Sequence, residues 1–523
     1  MNTLVILPVL IPLLTGAGLL LAGPRAGRLP RTASTVAVLL QLAVAVALAY
    51  SAGTGPVLAY LAGNWQAPFG IALAADRLAA LLLILTAILA LASLLAEGDE
   101  PPDDAGAGRR QGIFQLQLFG LNGAFLTTDV FNLFVFFEVL LCASYALLIR
   151  GRGDARFPVA IQYVVVNLLA SALFLVAVAV LYGVTGTLNL ADLALRMAAL
   201  PATELPLARS GIYLLLSAFA VKAALLPVGF WLPATYRLPP VAVSVLFVLM
   251  TKVGIYAMLR VASVLTVLPG TAGDGLLLPA LLPLALATLA LATFGTLAAR
   301  DLRTLASHLV VASAGTLLVA VAVGGEAVVA AGLFYLAHST LGAALLFAVA
   351  GRLTAERPGQ ADRLLATGRT PVRASTAGYF LLAATGIAGL PPLAGFVAKA
   401  GLVDALLSEG PGPSTSGAIV ALLLVSSLLT LLALARAGSN LFWKSAGEVA
   451  APAPPMPRGD PARGASLAAA LLLAAWVVLS AAPGPLVHYA RAAAGQLLLP
   501  AAYVDAVLGE LPVAAPAAGG APP

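Results

Sequence analysis

Four charged side chains lie inside long apolar runs of the sequence, where charged groups are costly. Glu138 is near the middle of FNLFVFFEVLLCASYALL (131–148), and Lys222, Lys252 and Lys399 interrupt three later runs. An ionisable group at the centre of a bilayer costs at least about 2.5–3.5 kcal/mol, so such groups usually mark ion or proton pathways. The chemistry available to these residue types is proton transfer between a carboxylate and ammonium groups.

Glu138 and Lys222 are the first expected pair. Burial disfavours the charged form of each group, whereas the opposite charge of the other favours it. A lysine that moves away from the carboxylate makes that carboxylate easier to protonate, so the pair can act as a proton switch. The alternative is a static ion pair that joins two helices, although a buried pair is a weak device for stability alone.

Three more groups extend the expected pathway. Lys252 lies in SVLFVLMTKVGIYAMLR and can relay a proton, unless it snorkels to the membrane surface. Lys399 is within the hydrocarbon or near its outer edge, where snorkelling beside Asp404 is the alternative. His338 lies in AGLFYLAHSTLGAALLF and can shuttle protons, or it is a hydrogen-bonded core residue.

For three other residues, an ordinary structural role is favoured over a role in ion transport. Asp129 precedes the run that carries Glu138, so it caps a helix or takes up protons. His308 is near a cytoplasmic helix end and is expected at the interface. Cys142 is the single cysteine, which excludes an intrachain disulfide and a cysteine-based metal cluster, and we expect a small buried apolar side chain.

The composition assigns the whole chain to the membrane. It is 61% hydrophobic and only 10% charged, whereas a soluble domain usually carries about a quarter charged residues. The net charge of +6 is explained by arginines in short loops, so nucleic acid is not an expected partner. The sequence contains no P-loop, no GxGxxG after a strand, no HExxH and no GxSxG. We therefore expect no metal, no cofactor and no enzymatic reaction.

The apolar runs predict an all-α integral membrane protein with about 14 transmembrane helices. The first run has no basic n-region and is read as an uncleaved helix. The predicted spans are residues 2–22, 33–51, 73–96, 113–129, 131–149, 158–183, 211–231, 240–268, 275–298, 303–323, 328–350, 375–404, 417–440 and 466–483. The polar segments 97–112 and 448–464 are predicted to be flexible cytoplasmic loops, and the tail 514–523 to be disordered.

Loop charges predict the orientation of these spans. Alternate loops hold 20 of the 28 lysines and arginines, the opposite loops hold five, and three lie within spans. Positive residues collect on the cytoplasmic side, so both termini are expected on the non-cytoplasmic side of a bacterial plasma membrane.

Two spans are interrupted by proline and glycine, in KAALLPVGFWLPATYRLPP (222–240) and GIAGLPPLAGFVAKAGLV (386–403). Interrupted helices at corresponding places in two halves are typical of transporters with inverted repeats. The breaks are five spans apart, which predicts two inverted five-helix repeats, spans 4–8 and 9–13. The expected division is 1–112 for the N-terminal helices and loop, 113–268 and 275–443 for the repeats, and 444–523 for the polar loop, last span and tail.

The segment GLNGAFLTTDVFNLFVFFEVLLCASYALL (120–148) resembles the D subunit of Mrp-type (also Pha or Mnh) multisubunit monovalent cation/proton antiporters of bacteria. The blocks at 63–83, 222–240, 251–260 and 389–403 are similar to the same family, so the resemblance covers about residues 60 to 405. It implies that Glu138 and Lys222 are an essential pair on spans five and seven, that Lys252 is the central lysine, and that Lys399 is the distal lysine of a hydrated proton path.

The resemblance fails at one place. Many relatives read like FYxxHHxxVKTALF on span eleven, whereas this chain has FYLAHSTLGAALLF (334–347), with Ser339 and Ala343 in place of the second histidine and the lysine. His338, Ser339, Thr340 and water would have to bridge that gap. His308 gains no support from the resemblance.

The implied function is a proton- or cation-translocating subunit of a Na⁺(K⁺)/H⁺ antiporter that works inside a hetero-oligomer without a prosthetic group. A lysine-lined path repels Na⁺, which favours protons. One alternative is a proton-pumping M- or N-type antiporter-like subunit of complex I or of a membrane hydrogenase. The other is a membrane scaffold that transports nothing.

Overall fold

The computed structural model of this 523-residue chain describes residues 3–22, 29–66, 69–99, 106–150, 154–265, 277–357, 359–365, 372–443 and 462–509. Within these ranges the chain is helical apart from one two-stranded antiparallel hairpin. The predicted disordered tail and residues 448–461 of the second predicted loop lie outside the described residues.

The first half of the chain forms ten helices and the hairpin. Their bounds are α1 Leu7–Leu21, α2 Leu29–Thr54, β1 Leu58–Leu61, β2 Ala72–Ala75, α3 Arg77–Ala96, α4 Ala107–Leu126, α5 Val130–Leu148, α6 Arg156–Thr185, α7 Leu190–Ala198, α8 Leu205–Lys222, α9 Trp231–Arg237 and α10 Val241–Leu265. A 3₁₀ turn at Thr3–Ile6 leads directly into α1. In the hairpin, Leu58 pairs with Ala75 and Leu61 with Ala72.

The second half of the described chain is entirely helical. Its helices are α11 Leu277–Ala298, α12 Leu302–Val323, α13 Glu326–Glu356, α14 Ala374–Ala388, α15 Ala394–Glu409, α16 Pro413–Gly438, α17 Arg463–Ala481, α18 Pro483–Leu498 and α19 Ala501–Leu508. One π-helical turn, Ser439–Trp443, extends α16.

The predicted membrane fold is confirmed. Among the described residues, twelve helices are long and apolar enough to cross a membrane. The fourth predicted span is α4, which is 20 residues long but less apolar because it carries several glutamines. The twelfth is divided between α14 and α15, which are 15 and 16 residues long. With these two, each of the fourteen predicted spans has its helix.

Several elements differ from the sequence prediction. The hairpin strands have four residues each, too few for an alternating pattern to stand out between apolar runs. Helices α7, α18 and α19 were not predicted because they are shorter than a span. The prediction of a loop over residues 97–112 is wrong for residues 107–112, which form the first turns of α4. Its glycines suggested a loop, but Gly108 and Gly112 are buried against neighbouring helices.

The same local motif occurs once in each half. Asp129 caps α5 and Asp301 caps α12, and in both cases the carboxylate accepts a 2.7 Å hydrogen bond from the backbone N–H three residues later. An antiparallel bridge then pairs Asp129 with Asn189 and Asp301 with Arg363. Each capped helix start is thereby joined to the segment after the next helix in sequence.

Helices α10 and α13 lie at the centre of the protein, and their side chains are almost completely buried. Apolar helices that are buried on every side tolerate a charge only where other protein groups receive it. Lys252 on α10 and His338 on α13 lie away from the helix ends and are only 0% and 2% exposed. The centre of the fold therefore contains the middle of the predicted pathway.

Candidate ion path: a row of charges between two broken helices

Glu138, Ser171 and Lys222 form a hydrogen-bonded chain between α5, α6 and α8. The Ser171 hydroxyl donates to Glu138 Oε1, and Lys222 Nζ donates to Ser171 Oγ over 3.4 Å. The structure thus joins the two predicted partners through a serine rather than by a direct ion pair. A hydroxyl both donates and accepts, so Ser171 can pass a proton between the ammonium and the carboxylate.

Aromatic rings enclose this chain. Lys222 Nζ lies 4.9 Å from the centre of the Phe137 ring, a favourable cation–π contact. The rings of Phe137, Phe174 and Phe219 pack on one another with centroids 5.1–6.2 Å apart. The cavity beside Lys222 has only about 10 Å³ of space for water, at the lower limit for one molecule. The Lys222 end of this chain is therefore dry.

Lys222 is the last residue of α8, at the first break. The breaks follow from the sequence, because proline removes a helical N–H and clashes with the preceding turn. A cis peptide bond precedes Pro227 in this break, and another precedes Pro392 in the second break. An ammonium at a helix C-terminus is favoured by the helix dipole.

The backbone groups freed at the first break have partners. Trp231 Nε1 donates to the Val221 carbonyl over 3.2 Å, and the Leu226 N–H donates to Thr288 Oγ1 of α11 over 3.0 Å. Non-helical backbone at membrane depth is tolerated only where protein or a polar cavity satisfies it. These contacts meet that requirement for the first broken span.

Lys252 on α10 faces the second half of the protein. Its ammonium is fully buried and donates a 2.7 Å hydrogen bond to Ser313 Oγ of α12. Two residues along α10, Gly254 lies against the α8 break, because a Cβ there would be only 2.8 Å from the Ala223 nitrogen. The snorkelling alternative is wrong for Lys252, whose side chain ends inside the protein. α10 therefore connects the Lys222 region to the second half.

A cavity beyond Ser313 lies at Ala343, the position where many relatives carry a lysine and this chain does not. Ala343 is part of its wall, together with Ser313, Ser339, His338 and Lys399; further hydroxyl groups come from Thr316, Tyr335, Ser426, Ser427 and Thr430. It has about 60 Å³ of space for water, while one water needs at least about 10–15 Å³. Several waters can therefore bridge the gap that the sequence left between Lys252 and Lys399.

Lys399 lies on α15 and reaches back across the second break. Its ammonium donates 3.0 Å hydrogen bonds to the carbonyl groups of Ile387 and Ala388, the last residues of α14. The Ala394 N–H at the start of α15 donates to Ser480 Oγ of α17 over 3.0 Å. The snorkelling alternative beside Asp404 is wrong, since the side chain points into the break.

His338 is buried on α13 and accepts a 2.9 Å hydrogen bond at Nδ1 from the Trp476 indole N–H of α17. The two rings stack with centroids 5.3 Å apart. His338 is therefore a hydrogen-bonded core residue, which is one of the two possibilities that the sequence left open. It is also part of the cavity wall beside Lys399. Both features belong to the same side chain.

The remaining candidates make local contacts. Asp129 is the N-cap of α5, outside the spanning helix. Burial raises the pKa of its carboxyl, and the backbone N–H groups of Asn132 and Phe131 oppose that rise. His308 lies against Gly295, where a Cβ would overlap the imidazole. The expectation that Cys142 is buried is wrong, because it is exposed on the outer face of α5.

Sequence reasoning missed Ser171, Ser313 and Trp476. Serine is common in apolar helices, where its hydroxyl can bond to the preceding turn, so its presence gives no specific signal. The Trp476 contact joins residues 138 positions apart. Only the packing of helices from distant parts of the chain brings these groups to the charges.

Comparison with known proteins gives consistent results over almost the whole chain. Residues 127–430 match the family described as NADH:quinone oxidoreductase/Mrp antiporter, TM. The probable D subunit of a K⁺/H⁺ antiporter of Rhizobium meliloti (strain 1021) is 38% identical over 97% of this chain and 98% of its own. The D subunit of the Na⁺/H⁺ antiporter of Bacillus subtilis (strain 168) is 36% identical over 98% of this chain and 100% of its own.

A solved structure shares the fold. A chain of the Mrp complex from Dietzia sp. DQ12-45-1b superposes with a TM-score of 0.82 at 29% identity, covering 97% of this chain and 100% of that one. The resemblance found in the sequence therefore extends over almost the whole chain.

Proposed function

Because this chain belongs to the NADH:quinone oxidoreductase/Mrp antiporter transmembrane family, we propose that it is a proton-translocating subunit of a multisubunit Na⁺(K⁺)/H⁺ antiporter. The observation that carries the proposal is the row of charged side chains that runs through the centre of the fold, from the partly buried Glu138 through the buried Lys222 and Lys252 to the partly buried Lys399. A buried charge is rare in a membrane protein unless it has a function. This row joins two broken helices, which are the places where a spanning segment exposes polar backbone.

The proposed path has a dry part and a hydrated part. Glu138 exchanges a proton with Lys222 through Ser171, over the contacts described above. Lys252 then passes charge to the cavity at Ser313. Water and hydroxyl groups in the cavity connect Ser313 to His338 and Lys399. The cationic lining favours protons over Na⁺ along this path.

The repeated cap and bridge at Asp129 and Asp301 support the division of the chain into two inverted repeats, 113–268 and 275–443. Each of these segments also has one broken helix, and the two broken helices are five predicted spans apart. The segments 1–112 and 444–523 then flank the repeats. Loop charge supports a bacterial plasma-membrane location with both termini on the non-cytoplasmic side.

Other members of the antiporter complex are the proposed partners. The two relatives described above are named as D subunits of antiporters, and the similar structure is a chain of an Mrp complex. The family description also includes NADH:quinone oxidoreductase, so the second candidate is a proton-pumping subunit coupled to electron transfer. Neighbouring genes for small Mrp subunits would favour the antiporter, whereas genes for quinone or hydrogenase subunits would favour the pump.

Cation/proton exchange in inverted vesicles tests the proposal. The complete complex is expressed in an antiporter-deficient host, with Glu138→Gln, Lys222→Ala or Lys399→Ala in this chain. Each variant should assemble and lose exchange, whereas Glu204→Gln, at an exposed glutamate before α8, should behave as wild type. Normal exchange in all three assembled path variants would overturn the proposal and favour the scaffold.

A further inference from the structure

Trp476 lies outside both predicted repeats, yet it contacts the centre of the path. Its indole N–H donates to His338 Nδ1 over 2.9 Å, and its ring stacks on the imidazole. Trp476 is 1% exposed, so water does not compete for this hydrogen bond. The contact is therefore shielded from solvent.

This hydrogen bond determines which nitrogen of His338 carries a proton. A nitrogen that accepts a hydrogen bond has no proton of its own, so Nδ1 is unprotonated and the proton of the neutral ring is on Nε2. An imidazolium carries protons on both nitrogens. It would place its Nδ1–H against the indole N–H, and two donors cannot share a hydrogen bond. His338 can accept a second proton only when Trp476 moves away.

The charges around His338 act in the same direction. Lys399 on α15 is part of the same cavity wall, and Lys252 on α10 reaches that cavity through Ser313 on α12. On its own helix, the Tyr335 ring is 6.2 Å from the imidazole. Among the described residues, those that line this cavity include no carboxylate. The Lys399 ammonium group therefore opposes a positive charge on the imidazole.

Trp476 is also joined to the broken helix on both sides of its break. The ring lies against Gly386, near the end of α14, so closely that any side chain at that position would overlap it. Ser480 Oγ donates to the Trp476 carbonyl over 2.9 Å and accepts from the Ala394 N–H at the start of α15 over 3.0 Å. A change at the break is therefore transmitted to the contact between Trp476 and His338.

We propose that Trp476 is a positioning residue that keeps His338 neutral with Nδ1 unprotonated, and that it releases the imidazole when the second broken helix moves. The relevance of this control to transport rests on the proposed function. The tautomer of His338 and its contact with Trp476 do not depend on the proposed function, because they follow from the geometry of the two side chains. Helix α17, which lies outside both predicted repeats, would then control when His338 can accept a second proton.

Solid-state ¹⁵N NMR of the complete complex, with labelled histidine, tests the first part directly. The His338 signals are identified by their absence in His338→Gln. In the wild type we expect an unprotonated Nδ1 and a protonated Nε2 throughout the pH range of exchange. In Trp476→Phe, which keeps an aromatic ring but removes the N–H, His338 should become protonated at higher pH, by roughly one unit.

The control is Trp443→Phe, the same change at a tryptophan that is 69% exposed and away from the path; it should leave the His338 signals unchanged. A protonated Nδ1 in the wild type would overturn the inference, as would identical spectra in Trp476→Phe. If Trp476→Phe does not assemble, the wild-type spectrum alone still decides whether Nδ1 is unprotonated.

Exchange measurements separate this inference from the proposed function. Trp476→Phe should shift the pH profile of exchange, and the shift should vanish in combination with His338→Gln. A shift that persists without His338 would overturn the proposed role of Trp476. Failure of the Glu138 and Lys222 variants to affect exchange would overturn the proposed function and leave the NMR result standing.

Discussion

In the first broken span an ammonium group is at the end of α8 because Lys222 is itself the last residue of that helix. In the second, Lys399 reaches back from α15 to the last carbonyl groups of α14. Both arrangements place a positive charge at the C-terminus of the first half-helix, where the helix dipole favours it. The same electrostatic result is obtained from opposite sides of the break.

The surroundings of the two ammonium groups differ. Lys222 contacts the Phe137 ring and has space for about one water, whereas the cavity at Lys399 has about 60 Å³ of space for water. In the dry half each side-chain contact matters more, because there is space for at most about one water to replace it. In the hydrated half, a lost hydroxyl leaves space that water fills. The halves should therefore respond differently to equivalent substitutions.

The largest effect is expected at Lys252, which links the two halves. Lys252→Met keeps the length of the side chain but removes the ammonium that connects α10 to Ser313. A positioned proton-transfer group contributes about 10²–10⁴-fold to rate, so exchange should fall to background in assembled complexes. The measurement is cation/proton exchange in vesicles, normalised to the amount of complex. Substantial exchange in Lys252→Met would mean that the halves operate separately.

The next effect tests the dry half. Ser171→Ala removes the hydroxyl between Glu138 and Lys222, and the loss of such a contact is worth about 1–1.5 kcal/mol, or roughly a five- to tenfold decrease in exchange. Ser427→Ala, in the hydrated cavity, should change exchange by less than about twofold because water can replace a hydroxyl.

The control for Ser171→Ala is Ser217→Ala on α8, whose exposed hydroxyl bonds only within its own helix. Equal effects at Ser171 and Ser427 would contradict the distinction between a dry and a hydrated half.

These substitutions show where sequence reasoning about the site stops. Glu138, Lys222, Lys252 and Lys399 are conspicuous because a charge in an apolar run needs an explanation. Ser171 is not, since a serine costs little in such a run and its role depends on two helices that meet it in space. The sequence therefore predicts the charged residues and not the groups that join them.

The third effect concerns the cavity at Ala343. Ala343→Leu should fill much of its space for water and slow exchange several-fold, because fewer waters can bridge Ser313 and Lys399. The control is Ala331→Leu, because Ala331 lines a different cavity on the other face of α15. This variant should not slow exchange. Exchange is measured for both variants in the same vesicles, and an unaffected Ala343→Leu would place the path elsewhere.

Ala343→Lys gives a second test at the same position, because it supplies the lysine that many relatives carry. A titratable group on the path should shift the pH profile of exchange. An unchanged profile would show that protons do not pass this position.

The fold was more predictable than the site. Fourteen apolar runs and the proline breaks are properties of single segments, and so they can be read without knowing which helices are neighbours. α18 was missed because Pro483 begins it and the helix is only 16 residues long. The start of α4 was missed because its glycines suggested a loop, whereas Gly108 and Gly112 are buried in the folded protein, which no local pattern reveals.

A smaller effect, on stability, compares the two breaks. Thr288→Val leaves the Leu226 N–H without its partner, and Ser480→Ala does the same to the Ala394 N–H. Each unpaired buried donor costs about 1–3 kcal/mol, so both variants should unfold at lower temperature than wild type. Thr385→Val on α14 is the control, since that hydroxyl is exposed and bonds within its own helix. A stable Thr288→Val would show that the first break needs no outside partner.

The smallest effect is expected at the caps, Asp129 and Asp301. Replacing either by Ala should cost about 0.5–2 kcal/mol of stability, because the backbone N–H of the first turn loses its acceptor. Asp129→Asn separates the cap from a role in proton uptake: asparagine also caps a helix, but it does not bind and release a proton at neutral pH. We expect Asp129→Asn to unfold and exchange as wild type does, while Asp129→Ala loses stability by an amount similar to Asp301→Ala. If Asp129→Asn instead keeps its stability and loses exchange, the carboxylate belongs to the path, and the two caps are alike in structure but not in function.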